Sequence, residues 1–249
     1  MNTAASSFKV AIVADKFGGL LFYFTLAASL ALAFHDAPEV QKFGHPCLII
    51  FAFLTIVVTV VITIYQTDGN RALRATQLSD GLGAGSGENI RADYYNNNLP
   101  KNLLRLAATT LENTLFTKKV LSKMAFWMRI KVCAYFVVLL ILFTCRATPT
   151  SWLLVLAQTL FSADLVLKLV RLERFRVRTG RVHDHLEQFF LQAGGVEKPN
   201  DLAVLIGAFT DYECAKDEAA LPLEGKYFEK LNPTLSRQWE EMKARLKIN

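Results

Sequence analysis

Between residues 46 and 65 the chain reads PCLIIFAFLTIVVTVVITIY, without a single charge. At about 1.5 Å per residue, a helix of this length matches the roughly 30 Å hydrocarbon core of a bilayer. A helix buried in a soluble protein keeps a polar stripe, and here the only one is Thr55, Thr59 and Thr63, spaced one turn apart. An uncharged run over 17–34 predicts an earlier span, with Gly18, Gly19, Ala27, Ala28 and Ala31 as small helix-contact surfaces. A cleaved signal peptide is the alternative, because Ala31-Leu32-Ala33 resembles a cleavage site. The apolar run is longer than a usual signal core, and a second span follows closely, which favours a retained helix. A third span fits 126–144 if Arg129 and Lys131 snorkel toward head groups and Trp127 sits at the interface. A fourth fits 152–170 after a very short turn at 146–151. The pattern therefore predicts an all-α integral membrane protein with four spans in two hairpins, 1–65 and 126–170.

Two polar stretches remain, 66–125 and 171–249, and both carry helical periodicity. Residues 68–78 continue the second span as a helix, with Arg71 and Arg74 upon it. DGLGAGSG at 80–87 is a break that reads as a flexible linker. A phosphate cradle is the rival, but the GK[ST] of a P-loop is missing. A short helix is expected over 88–98. A longer one runs from Pro100 to about Met124, with Leu103, Leu104, Ala107, Ala108, Leu111, Leu115 and Phe116 at helical spacing. Beyond the fourth span a basic helix leads to the Gly194-Gly195 break, and a second helix covers 202–220. An amphipathic one then starts at Asn232-Pro233-Thr234 and carries Leu235, Trp239, Met242 and Leu246 on one face. No strand pattern stands out.

The composition agrees with this division: 52% of residues are hydrophobic, the net charge is +6, and the 20% that are charged avoid the spans. The two hairpin loops hold one basic residue each, Lys42 and Arg146, whereas eight lie within 66–125 and thirteen beyond Val170. The positive-inside rule then places both termini and both polar stretches in the cytoplasm. Cys47, Cys133, Cys145 and Cys214 form no CxxC pair, so neither a zinc ribbon nor a redox motif is suggested.

Candidate chemistry is concentrated at the exit from the fourth span. Arg171, Arg174, Arg178 and Arg181 share a helical face. They fit either anionic lipid heads or a phosphate-bearing ligand, which the planar guanidinium fork can grip in a bidentate way. Asp164 and Lys168 are one turn apart at the span's end and form either a structural pair or a gating element. The threonine stripe Thr55, Thr59, Thr63 either lines a pore or packs against a neighbour, with its hydroxyls bonded to the preceding turn. His183, His185 and Glu187 suggest a metal, but His183 and His185 point apart on a helix and two ligands do not make a site. No metal and no cofactor is therefore expected, and no nucleophile–base signature, HExxH or dinucleotide fingerprint marks an enzyme. The polar helices also look divided into pieces too small for the continuous core of a catalytic domain.

Two tight hairpins, the insert ENIRADYYNNNLPKNLLRLAATTLENTLFTKK between them, and a basic exit helix before a helical tail together carry a likeness. The chain resembles the four-span pore-forming effectors found beside nucleotide-second-messenger synthases in bacterial antiphage systems. It also looks like the two-span effector domains of the same systems. The likeness is one of architecture, covers nearly the whole chain, and matches no motif residue by residue. It implies a homo-oligomer in the bacterial inner membrane, a cyclic or linear oligonucleotide ligand, and a nucleotidyltransferase encoded alongside. Its action would be ion leakage gated from the cytoplasmic side, with depolarisation and growth arrest. The competing expectation is a non-conducting anchor or scaffold that binds a protein partner through the helical tail.

Overall fold

The computed structural model describes residues 3–34, 38–83, 99–144, 165–193 and 199–248. Among them the protein is all-α, with six helices: α1 Thr3–Phe34, α2 Pro38–Leu82, α3 Leu103–Thr144, α4 Leu165–Ala193, α5 Pro199–Ala219 and α6 Gly225–Leu246. Three of them, α1, α2 and α3, are long and apolar enough to cross a membrane. The fourth expected span falls outside the described residues up to 164, as do the turn at 146–151 and the short helix expected at 88–98.

The helices are longer than the hydrophobic pattern alone marks out. α2 has 45 residues, about 67 Å of helix, roughly twice the hydrocarbon thickness. It begins at Pro38 and carries Pro46 inside it, so the expected loop at 35–45 shrinks to its first residues. Pro46 and its surroundings are exposed. α3 joins the expected insert helix and third span into one rod, because nothing between Leu103 and Thr144 is glycine or proline. α6 likewise starts at Gly225 rather than at Asn232, with Pro233 inside. Pro233 and Glu229 are both exposed, so the carbonyl freed by the missing N–H faces water.

The ends of these rods are defined chemically. α2 stops where Gly83 takes the left-handed conformation (φ 70°) and donates its N–H to the Ser79 carbonyl at 3.0 Å. α3 starts with the Asn102 side chain accepting the Arg105 N–H at 3.0 Å. Arg105 then forks onto the Asp80 carboxylate at 3.0 and 3.2 Å, which locks the end of α2 against the start of α3.

The molecule has two parts. α1 packs along α2, and the apolar stretches of α1, α2 and α3 leave side chains such as Phe24, Phe53, Ile56, Val137 and Phe143 exposed, as a lipid-facing surface requires. The polar first half of α3 joins α4, α5 and α6 in a helical head. The head's core is one continuous cluster that includes Leu111, Leu121, Leu172, Leu186, Leu205, Tyr212, Trp239 and Leu246. The polar stretches are therefore not separate pieces: 103–125 and 171–248 share one core. Trp239 and Leu246 of α6 lie inside it, and Leu235 on the same helix is buried as well.

Candidate functional site

A cavity of about 620 Å³ lies where the head meets the membrane helices. α2 contributes Gln66, Asn70, Leu73 and Gln77, at spacings that keep one helical face. α3 contributes Glu112, Asn113, Phe116, Thr117 and Val120 from the face opposite. Phe8 and Ile12 of α1 close one side, and the Phe8 ring lies against Gly69, where a Cβ would come within 2.6 Å of it. Phe175 of α4, Tyr212 and Lys216 of α5, and Phe228, Asn232 and Ser236 of α6 complete the wall.

The polar atoms of this wall are unusual. Five buried side-chain atoms among the described residues have no hydrogen-bond partner, and three of them belong to the cavity: Gln66 Oε1, Glu112 Oε2 and Asn113 Nδ2. Gln66 is only 7% exposed. An unpartnered buried polar atom costs about 1–3 kcal/mol. Glu112 stands in the polar half of α3, about 20 Å of helix before Phe126, where the uninterrupted apolar sequence is expected to enter the membrane. Burial pushes its carboxyl up to about 7, with Lys243 opposing that shift and Glu240 adding to it.

Beside the cavity, a charged network ties α2 to α5. Arg74 holds Glu213 at 3.1 Å and also pairs with Asp217, while Asn70 Nδ2 donates to Asp217 at 3.1 Å. Lys216 holds the other Glu213 oxygen at 2.7 Å. Two cations face two anions, so the network is balanced without a ligand. Thr117 and the Tyr212 hydroxyl are bonded at 2.9 Å.

The residues singled out by sequence lie elsewhere. Arg171, Arg174 and Arg178 come together at a cleft of only about 30 Å³ formed with α5, while Arg181 stands exposed outside it. Glu218 occupies their charge, at 2.6 Å from Arg178 and 3.8 Å from Arg174. The Arg178 hydrogen bond in turn holds the Glu218 carboxyl below its ordinary range. Thr55, Thr59 and Thr63 donate to the carbonyls of Phe51, Thr55 and Thr59 at 2.8, 2.9 and 2.9 Å. Asp164 lies outside the described residues, and Lys168 pairs with Asp15 of α1 at 2.6 Å. His183 is buried, with Nδ1 at 3.2 Å from the Thr114 hydroxyl and Nε2 at 3.8 Å from Glu187. Burial, then Lys118, lowers its pKa. Asp184 is close enough to join His183 and Glu187, but Lys118 and Arg245 already neutralise the two carboxylates.

Sequence reasoning missed the cavity. The signal was present in Gln66, Asn70 and Gln77, a helical row of amides directly below an apolar span, and in Glu112-Asn113 among leucines. No protein-family model, curated protein or solved structure matches the chain.

Proposed function

We propose that this protein is a ligand-gated membrane effector, whose head binds a small signal and whose membrane helices conduct ions when several copies assemble. The supporting observation is continuity: α2 and α3 each line the cavity and then run without a break into their apolar stretches. A ligand shifts a closed–open equilibrium only through different affinities for the two states. A cavity whose walls are the membrane helices themselves gives it that leverage. The nucleotide signal, the cytoplasmic placement of the head, the inner membrane and the antiphage role rest on the architectural likeness described above. For the scaffold alternative, in which the helical tail binds a protein partner, the apolar face of α6 is not free, because Leu235, Trp239 and Leu246 are buried, whereas Leu202, Val204 and Ile206 of α5 are exposed. In this proposal the protein conducts and does not catalyse.

The test is ion release from liposomes that carry the purified protein, with cyclic and linear oligonucleotides added in turn, beside membrane potential on inducible expression in a bacterium. Release or depolarisation that depends on one of these ligands is the expected result. Liposomes that stay tight with every ligand, with potential and growth untouched, would sink the pore.

A further inference from the structure

We propose that the membrane hairpin α1–α2 is a rigid body of its own, that it tilts against the rest of the protein about a pivot at Gly81, and that the Asp15–Lys168 ion pair is the catch this tilt releases. This deepens the gating function proposed above and rests on it for its role, but not for the motion.

α1 lies antiparallel to α2 along its length, with Phe8 against Gly69, Gly18 against Val58 and Leu32 against Gly44. Among the described residues, neither helix contributes a side chain to the apolar core that joins α3, α4, α5 and α6. What ties the two bodies together changes with distance from Gly81. At Gly81 the backbones touch: an added Cβ would come within 2.9 Å of Leu106 Cβ and 3.2 Å of its Cα, beside the Arg105–Asp80 pair. About 10 Å further along α2, Arg74 and Asn70 hold Glu213 and Asp217. At the far end, among the described residues, the tips of long side chains make the crossing. Lys168 reaches Asp15 at 2.6 Å, Lys131 Nζ lies 4.8 Å from the centre of the Phe22 ring, and the Tyr135 ring is 5.9 Å from that same ring. The cavity occupies the seam between the two bodies. Asp15 precedes Gly18 by less than a turn and so stands level with Val61, about 30 Å along α2 from the pivot. A tilt of about 10° moves Asp15 by about 5 Å and Arg74 by less than about 2 Å. The first displacement parts an ion pair, and side chains can take up the second.

The test reads distance rather than conduction. It uses the full chain in liposomes, with the native cysteines replaced by serine. Spin labels at Gly19→Cys on α1 and Val170→Cys on α4, both exposed positions, report the far end of the seam. Labels at Arg181→Cys and Glu241→Cys, also exposed, report the head alone. Asp15→Lys and Lys168→Asp should each lengthen the first distance by about 5 Å, the two together should restore it, and the head distance should hold throughout. Three results would overturn the proposal: the single reversals leave the first distance unchanged; the double reversal stays as long as the singles; or the head distance changes with them. A seam that opens and closes in this way without any ion release would leave the hinge standing and remove the gating function. Ligand-driven release with the first distance fixed would do the reverse.

Discussion

Helix α5 has two faces that meet polar surroundings, and they differ in what is left over. One face sets Ala215, Glu218 and Ala219 against the arginines of α4, in a cleft of about 30 Å³. The other sets Tyr212 and Lys216 against α2 and α3, around about 620 Å³. Phe175 borders both. The arginine cleft holds more charge, with Glu218 set against Arg178 and Arg174, and has little free space. The cavity wall holds less charge and more unspent hydrogen-bonding capacity. The two faces of one helix thus differ in charge and in free volume.

The largest break in this comparison should come from Arg74→Ala. It would leave Asp217 without its ion pair and Glu213, 2% exposed, with Lys216 alone. Because Glu213 keeps Lys216 and Asp217 keeps the Asn70 hydrogen bond, the cost should be about 1–3 kcal/mol, below that of a fully buried charge left alone. A melting temperature within a degree of wild type would show that the network does not hold α2 to α5.

Glu112→Gln should act in the opposite direction, and only at high pH. The folded carboxyl titrates near 7 against about 4.5 for the free side chain, so the folded state holds a proton that the unfolded chain has released. Wild type should therefore keep this contribution in full below about pH 4.5 and lose it as pH rises through 7. At pH 8 the variant should be more stable by about 2–3 kcal/mol, and the gain should vanish toward pH 4.5. A pH-independent difference would mean that Glu112 is not held protonated by burial. Gly69→Ala should cost about 1–2 kcal/mol, because its new methyl meets the Phe8 ring, which must turn away or shift. Unchanged ligand affinity in that variant would show that α1 is not part of the working wall. The smallest effect on stability belongs to Glu218→Gln, since that side chain is exposed. Its melting temperature should match wild type while binding to anionic vesicles rises and salt abolishes the gain. Vesicle binding equal to wild type would show that Glu218 does not restrain the arginines.

Much of the fold could be read from the chain, and the reasons are particular. The apolar runs predicted α1, α2 and α3 as candidate spans, and the row Ala107, Leu111, Leu115 predicted the buried face of α3. Boundaries failed at Pro46 and Pro233, where exposed backbone lets a helix carry a proline. They failed again at 125–126, where a change from polar to apolar is a change of surroundings and not of backbone. The site was less legible. Arginines announce themselves in a sequence, and their partner Glu218, some forty residues later, does not. The cavity draws residues from six helices, and whether Gln66 or Asn113 finds a partner is decided only when those helices meet.

The wall reaches from Phe8 near one end of the chain to Ser236 near the other. During synthesis, then, the membrane hairpin α1–α2 can insert long before α6 leaves the ribosome, and until it does the site is missing a side. The cavity is thus among the last features of the fold to be completed, because Phe228, Asn232 and Ser236 are translated after every other part of its wall.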